Sequence, residues 1–204
     1  GEAQVFRGMH PNAIWELSEG VPIAKRIQPA SSPVNVAPLP TRTGSAERDK
    51  TASFWKHQRS AMNAFKRDRD FVVAASGFAR ALALKPDHEE ALFYRACSLI
   101  ELGQGNEAAR VLRRLTEVNP QSLRGYQQWG TLRALTASSD TELAFAEALL
   151  LKARAINPEE TGVLQVLAEV SLKRGTLQLA DERLAQVIAS NARAARALFL
   201  RGYI

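Results

Sequence analysis

Residues 85–96 read KPDHEEALFYRA. The apolar run ALAL at 81–84 precedes this proline, and two acidic residues, Glu89 and Glu90, open the next apolar run. Proline lacks an N–H and its ring clashes with the preceding turn, so Pro86 ends the helix predicted before it. It also suits the opening turn of the helix after it. The same joint recurs. Pro120 lies 34 residues further on and Pro158 another 38. A further 34 reaches Ala192, inside VIASNARA, whose counterparts are ALALKPDH, LTEVNPQS and ARAINPEE. Four equivalent joints at such intervals predict stacked helical hairpins, each burying its apolar face against the next.

The interiors keep the same phase. With Pro86 as unit position 32, the units begin at Trp55, Glu89, Leu123 and Thr161. Position 8 then holds Met62, Ala96, Gly130 and Ala168, and position 20 holds Ala74, Ala108, Ala146 and Ala180. The second set requires a four-residue insertion in the third unit, placed at TASSD (136–140) as a lengthened turn in which Ser139 or Asp140 caps the next helix. Small residues at 8 and 20 let two antiparallel helices approach closely. Phe78, Leu112, Leu150 and Leu184 at position 24 fill the space between units, joined at position 27 by Ala81, Leu115, Ala153 and Val187. Position 15 holds Gly103, Gly175 and, in the first unit, Arg69. A glycine there suits a left-handed helix cap.

Over residues 54–204 this pattern resembles the tetratricopeptide repeat family, as in WKHQRSAMNAFKRDRDFVVAASGFARALALKP and EALFYRACSLIELGQGNEAARVLRRLTEVNP. Positions 8, 20, 27 and 32 agree with it. Gln58 at position 4, Arg95 at 7, and Arg133 and Ser171 at 11 depart from it. The resemblance implies an all-α, right-handed α-solenoid of about four helical hairpins, with the start of a fifth helix pair from Ala195. It also implies a non-catalytic interaction scaffold or adaptor inside a larger protein or complex, holding a peptide or partner protein on its concave face. The first helix of each unit would line that face, with Arg59, Asn63, Lys66, Phe93, Tyr94, Arg124, Gln127 and Gln128 as the partner-binding set. Some family members clamp a peptide's terminal carboxylate. Arg59, Asn63 and Arg124 are compatible with such a clamp, whereas Tyr94 and Gln128 stand where an asparagine and a basic residue are expected.

Residues 1–50 lie outside the repeat and read as an extended arm, with five prolines between residues 22 and 40. A short helix is expected at 11–18, opened by Pro11 and closed by Gly20. Three readings of the arm stay open. It is a linker, it docks along the solenoid through Phe6, Ile14, Trp15 and Leu17, or it binds a partner.

The chemistry sought elsewhere is absent from the pattern. Cys97 is the only cysteine, which excludes an internal disulfide and fits a reducing cytoplasm better than a periplasm. His10, His57 and His88 have no metal-ligand spacing. No cofactor, metal or catalytic group is expected. No apolar run is long enough for a transmembrane helix. The formal charge of +6 leaves room for a second reading, a nucleic-acid-binding repeat using Lys56, Arg59, Lys66, Arg67 and Arg69. A third reading is the accessory domain of an enzyme whose catalytic part lies elsewhere. At Ala195 the array stops without a polar capping helix, so a homodimer or a downstream domain is expected to cover that end.

Overall fold

Why the same joint returns is visible in the backbone. The structure, a computed structural model, describes residues 42–204. The predicted helix at 11–18 and the proposed anchors Phe6, Ile14, Trp15 and Leu17 lie outside the described residues. Nine helices follow one another there: α1 Arg42–Asn63, α2 Phe71–Leu84, α3 Glu89–Glu101, α4 Gly105–Val118, α5 Leu123–Thr136, α6 Asp140–Ile156, α7 Thr161–Lys173, α8 Leu177–Ser190 and α9 Ala195–Tyr203. Each odd helix packs on the even helix after it, and each even helix packs on the next pair. The result is an all-α solenoid. The first helix begins at Arg42, so residues 42–50 are helical and do not belong to an extended arm.

Each proline sits immediately after a helix C-cap and two residues before the next N-cap. Lys85, Pro86, Asp87 and His88 form one such joint. Pro86 therefore ends a helix, but it does not lie in the first turn of the next. In three joints an asparagine at the C-cap also closes the turn. The Asn119, Asn157 and Asn191 Oδ1 atoms accept from the backbone N–H groups of Gln121, Glu159 and Arg193 at 2.9, 3.2 and 3.1 Å. Such an Asx turn does the bending without a fixed φ, which explains how Ala192 replaces proline at the fourth joint.

In three of the four hairpins the left-handed position is real, and the third hairpin, turning through residues 137–139, has none. Gly103 and Gly175 have φ of 71° and 73°, and Arg69 takes the same place at φ 52°. Arg69 follows a π-helical turn, Ala64–Asp68, that ends the first helix of the array. The insertion in the third unit does not lengthen a turn. Three residues separate α5 from α6, as they separate α3 from α4. Instead α5 has 14 residues against 13 in α3, and α6 has 17 against 14 in α4. All four extra residues are helical. Ser139 caps α6 by accepting from the Glu142 N–H at 3.3 Å, while Glu142 accepts from the Ser138 N–H at 2.7 Å.

The predicted small and large positions form the core. Ala74, Ala108, Ala146, Ala180, Phe78, Leu112, Leu150 and Leu184 are all fully buried. A methyl group on Gly130 would stand 2.6 Å from Leu150 Cγ, closer than van der Waals contact allows. In the first unit the close approach shifts by one residue, and Gly77 faces Ala61.

Three of the four departures from the pattern have polar partners. Gln58 Nε2 donates to Glu90 at 3.2 Å, and Arg95 pairs with Glu107 at 2.7 Å. Ser171 accepts from Arg183, a buried arginine that also pairs with Glu147 at 2.8 Å. Glu147 takes Arg174 as well, at 2.6 Å, and Arg174 reaches Asp140 at 2.8 Å. Both carboxylates belong to the lengthened α6, which thereby ties the third unit to the fourth, Asp140 doing so from its extra turn. Burial pushes the Glu147 carboxyl up, but hydrogen bonds from Arg183 and Arg174 outweigh it and hold it below the ordinary carboxylate range. His88 caps α3, its Nδ1 accepting from the Ala91 N–H at 3.2 Å. Burial lowers its pKa; Lys85 adds to that, while Glu90 and Glu89 oppose it.

Three stability outcomes follow, all read by urea unfolding. Gly130→Ala loses about 1–3 kcal/mol through overpacking against Leu150, whereas Gly175→Ala, with open space around it, loses only about 1 kcal/mol to backbone strain. Glu147→Ala leaves Arg183 unpaired and loses about 2–3 kcal/mol, less than a wholly buried pair because Arg174 keeps Asp140. The wild-type contribution is present above the unfolded carboxyl pKa and disappears as pH falls through the lower folded value, so the variant's deficit shrinks in acid. For His88 the depressed folded pKa means the cap acts above the unfolded value near 6.5 and is lost as pH falls below it. The chain should lose about 0.5–1 kcal/mol on that account, and His88→Asn should abolish this step in the pH profile.

Candidate partner-binding face

Helical spacing places Trp55, Gln58, Arg59, Met62, Asn63 and Lys66 along one flank of α1 and the π-helical turn after it. With Glu90 of α3 they line a surface hollow of about 300 Å³. Arg59, Asn63 and Lys66, three of the predicted residues, therefore meet. Arg59 has no ion-pair or hydrogen-bond partner among the described residues. Glu90 adds a carboxylate to the same hollow, already engaged by Gln58.

A continuous contact leads from this hollow to α5. The Lys66 ammonium stands over the Tyr94 ring at 5.4 Å, the Tyr94 and Phe93 rings meet edge to face at 5.3 Å, and the Arg124 guanidinium covers Phe93 at 4.7 Å. Tyr94 is half-buried and turns inward, stacking on Phe78 at 6.0 Å and meeting Phe65 at 5.2 Å. It backs the wall more than it presents a contact. Gln127 lies against the start of α7, its Nε2 3.1 Å from where a methyl group on Gly162 would stand. Gln128 is half-buried on α5 and joins none of these contacts. Arg124 is held over Phe93 and does not line the Arg59 hollow, so the residues compatible with a carboxylate clamp do not converge there.

Trp55 belongs to this face although its sequence position marked only a boundary. Its indole is half exposed, and Lys85 stands over it at 5.6 Å and over Phe54 at 4.8 Å. An aromatic pair ahead of the first regular unit was the available signal. Cys97 is half-buried one turn after Phe93 on α3, where burial pushes its thiol up to about 11 against the opposing pull of Arg124. A thiolate nucleophile is disfavoured there. Among the described residues no group of three His, Cys, Asp or Glu is placed to hold a metal, and no helix is long and apolar enough to cross a membrane.

A second arrangement escaped the sequence reading. Trp129 and Phe145 meet edge to face at 5.7 Å, beside Arg133, on the flank of α5 away from Arg124. The departure from pattern at Arg133 was its only trace.

Residues 67–134 match the family model described as Tetratricopeptide repeat. No curated protein matches the chain in sequence. In fold the chain is similar to the crystal structure of MamA protein, at 19% identity and a TM-score of 0.68 over 75% of this chain and 81% of that one. It is also similar to YrrB, described as a tetratricopeptide repeat protein with an unusual peptide-binding site, at 16% identity and a TM-score of 0.61, covering 78% and 86% of the two chains. A third likeness is the TPR2B domain of yeast Sti1 in complex with pHsp70, at 19% identity and a TM-score of 0.54, covering 60% and 99%. The family is thus matched over residues 67–134, and the described helices beyond that stretch continue the same all-α solenoid fold.

Proposed function

We propose that this chain is a non-catalytic scaffold that holds an extended peptide segment of a partner protein along the first helices of its units. The observation that carries this reading is the unbroken wall from the Trp55–Lys66 hollow through Phe93 to Arg124. It combines aromatic surface with cations and amides, and it carries both signs of charge through Arg59 and Glu90. A mixed lining of this kind suits peptide backbone and alternating side chains better than a phosphate track. The peptide site named for YrrB and the pHsp70 complex of the Sti1 domain support the same class of ligand. The separation of Arg124 from Arg59 favours an internal segment over a terminal carboxylate.

Affinity capture with partner identification by mass spectrometry tests the reading, first with the whole chain and then with residues 1–41 removed. The partner's affinity should fall about tenfold or more when Arg59, Phe93 and Arg124 are changed together to alanine, with the circular dichroism spectrum unchanged. Tyr94 is left intact because its ring packs inside. Undiminished capture by that variant overturns the site. Nucleic-acid capture that collapses steeply with added salt overturns the ligand class. If removal of residues 1–41 strengthens capture, the arm competes for the wall.

A further inference from the structure

Of the four positions that depart from the repeat pattern, Arg133 alone has no polar partner among the described residues. Its equivalents in the first two units are Phe65, packed on the core, and buried Leu99. The Arg133 Nε is buried without an acceptor, and so is the indole N–H of Trp129 one turn earlier. Nε atoms of Arg95 and Arg183 are buried too, but those guanidinium groups meet Glu107 and Glu147. A buried donor left without an acceptor costs about 1–3 kcal/mol. The third unit therefore keeps a destabilising cation where the first two units keep an apolar side chain.

Trp129 and Arg133 both line a surface hollow of about 460 Å³ between α4 and α6, together with Arg110, Arg113 and Phe145. No acidic residue lines it. Arg110 makes no ion pair or hydrogen bond among the described residues, and Arg113 takes only the exposed Glu117 at 3.1 Å. Phe145 is 45% exposed. On the other side of Arg133 and Phe145 a second hollow of about 350 Å³ runs to the start of the lengthened α6. Arg133 lies nine residues from Arg124 on the same helix, about two and a half turns, and so faces away from the wall described above.

We propose that this surface is a second docking site, for an acidic peptide segment of a partner protein. A carboxylate of the segment bonds Arg133 and Arg110, and an adjacent apolar side chain covers Phe145. Charge complementarity carries the choice of occupant. The hollow between α4 and α6 offers three guanidinium groups and no carboxylate among its lining residues, Glu142 lining only the second hollow, and planar guanidinium groups match carboxylates in geometry. Trp129 and Phe145 stand at 81° to each other, so they offer no pair of parallel faces between which bases stack. This site is independent of the concave wall, and either can fail without the other.

The test is fluorescence anisotropy of the full chain with a labelled hexapeptide of aspartate and glutamate carrying one leucine. Its amide counterpart and a short oligothymidylate serve as comparison probes. The acidic peptide should bind, and Arg110→Gln or Phe145→Ala, both at exposed positions, should weaken it about tenfold. Arg133→Leu, which restores the residue type of Leu99, should abolish binding while raising the Tm. Arg59→Ala should leave binding unchanged. The proposal is overturned by any of four results: no binding of the acidic peptide, equal binding of the amide peptide, preference for oligothymidylate, or a lower Tm in Arg133→Leu.

Discussion

The close approach of the two helices within each hairpin is the constraint on which the rest of this structure depends. Alanine at one contact and alanine or glycine at the other bring the backbones together, and the larger residue at the next turn fills what remains. Gly130 against Leu150 is the tightest case in the later units. A hairpin so thin has no interior of its own beyond a few side chains. Its apolar face must be covered by the next hairpin, which is why Phe78, Leu112, Leu150 and Leu184 are completely buried among helices that follow one another along the chain.

The joints between hairpins are governed by backbone chemistry more than by packing. Glycine, or Arg69 at some strain, takes the left-handed position inside three of the four hairpins. In three of the four joints between hairpins the asparagine side chain closes an Asx turn, and in the first, where Lys85 is the C-cap, Pro86 acts without it. This division of labour lets the fourth joint dispense with proline. It also explains the third unit's insertion: both short turns were already satisfied, so the extra residues went into helix, where each gains a backbone hydrogen bond.

Polar residues at core-facing positions then decide how units differ. Gln58, Arg95 and Ser171 each find a partner on another helix, and the Glu147 network binds the third unit to the fourth through two arginines. Arg133 finds none. A solenoid tolerates such a residue because each unit's stability is partly local. The same tolerance leaves room for the two surfaces proposed to bind partners, a mixed, aromatic wall on one flank and an arginine-rich hollow on the other.

The sequence by itself determined the fold. The repeated spacing of proline, small residues and one large residue per hairpin is a local pattern, and local patterns suffice when every contact is made with a neighbouring unit. It also brought Arg59, Asn63 and Lys66 onto one face, because helical periodicity alone sets that alignment. Only the tertiary structure decided that Tyr94 turns inward, that Arg124 covers Phe93 away from Arg59, and that Trp129, Arg133 and Phe145 gather beside α4. Those outcomes depend on which side chain of one helix reaches which side chain of another. Spacing along the chain carries no information about that, since it fixes direction around a helix and not the partner that waits there.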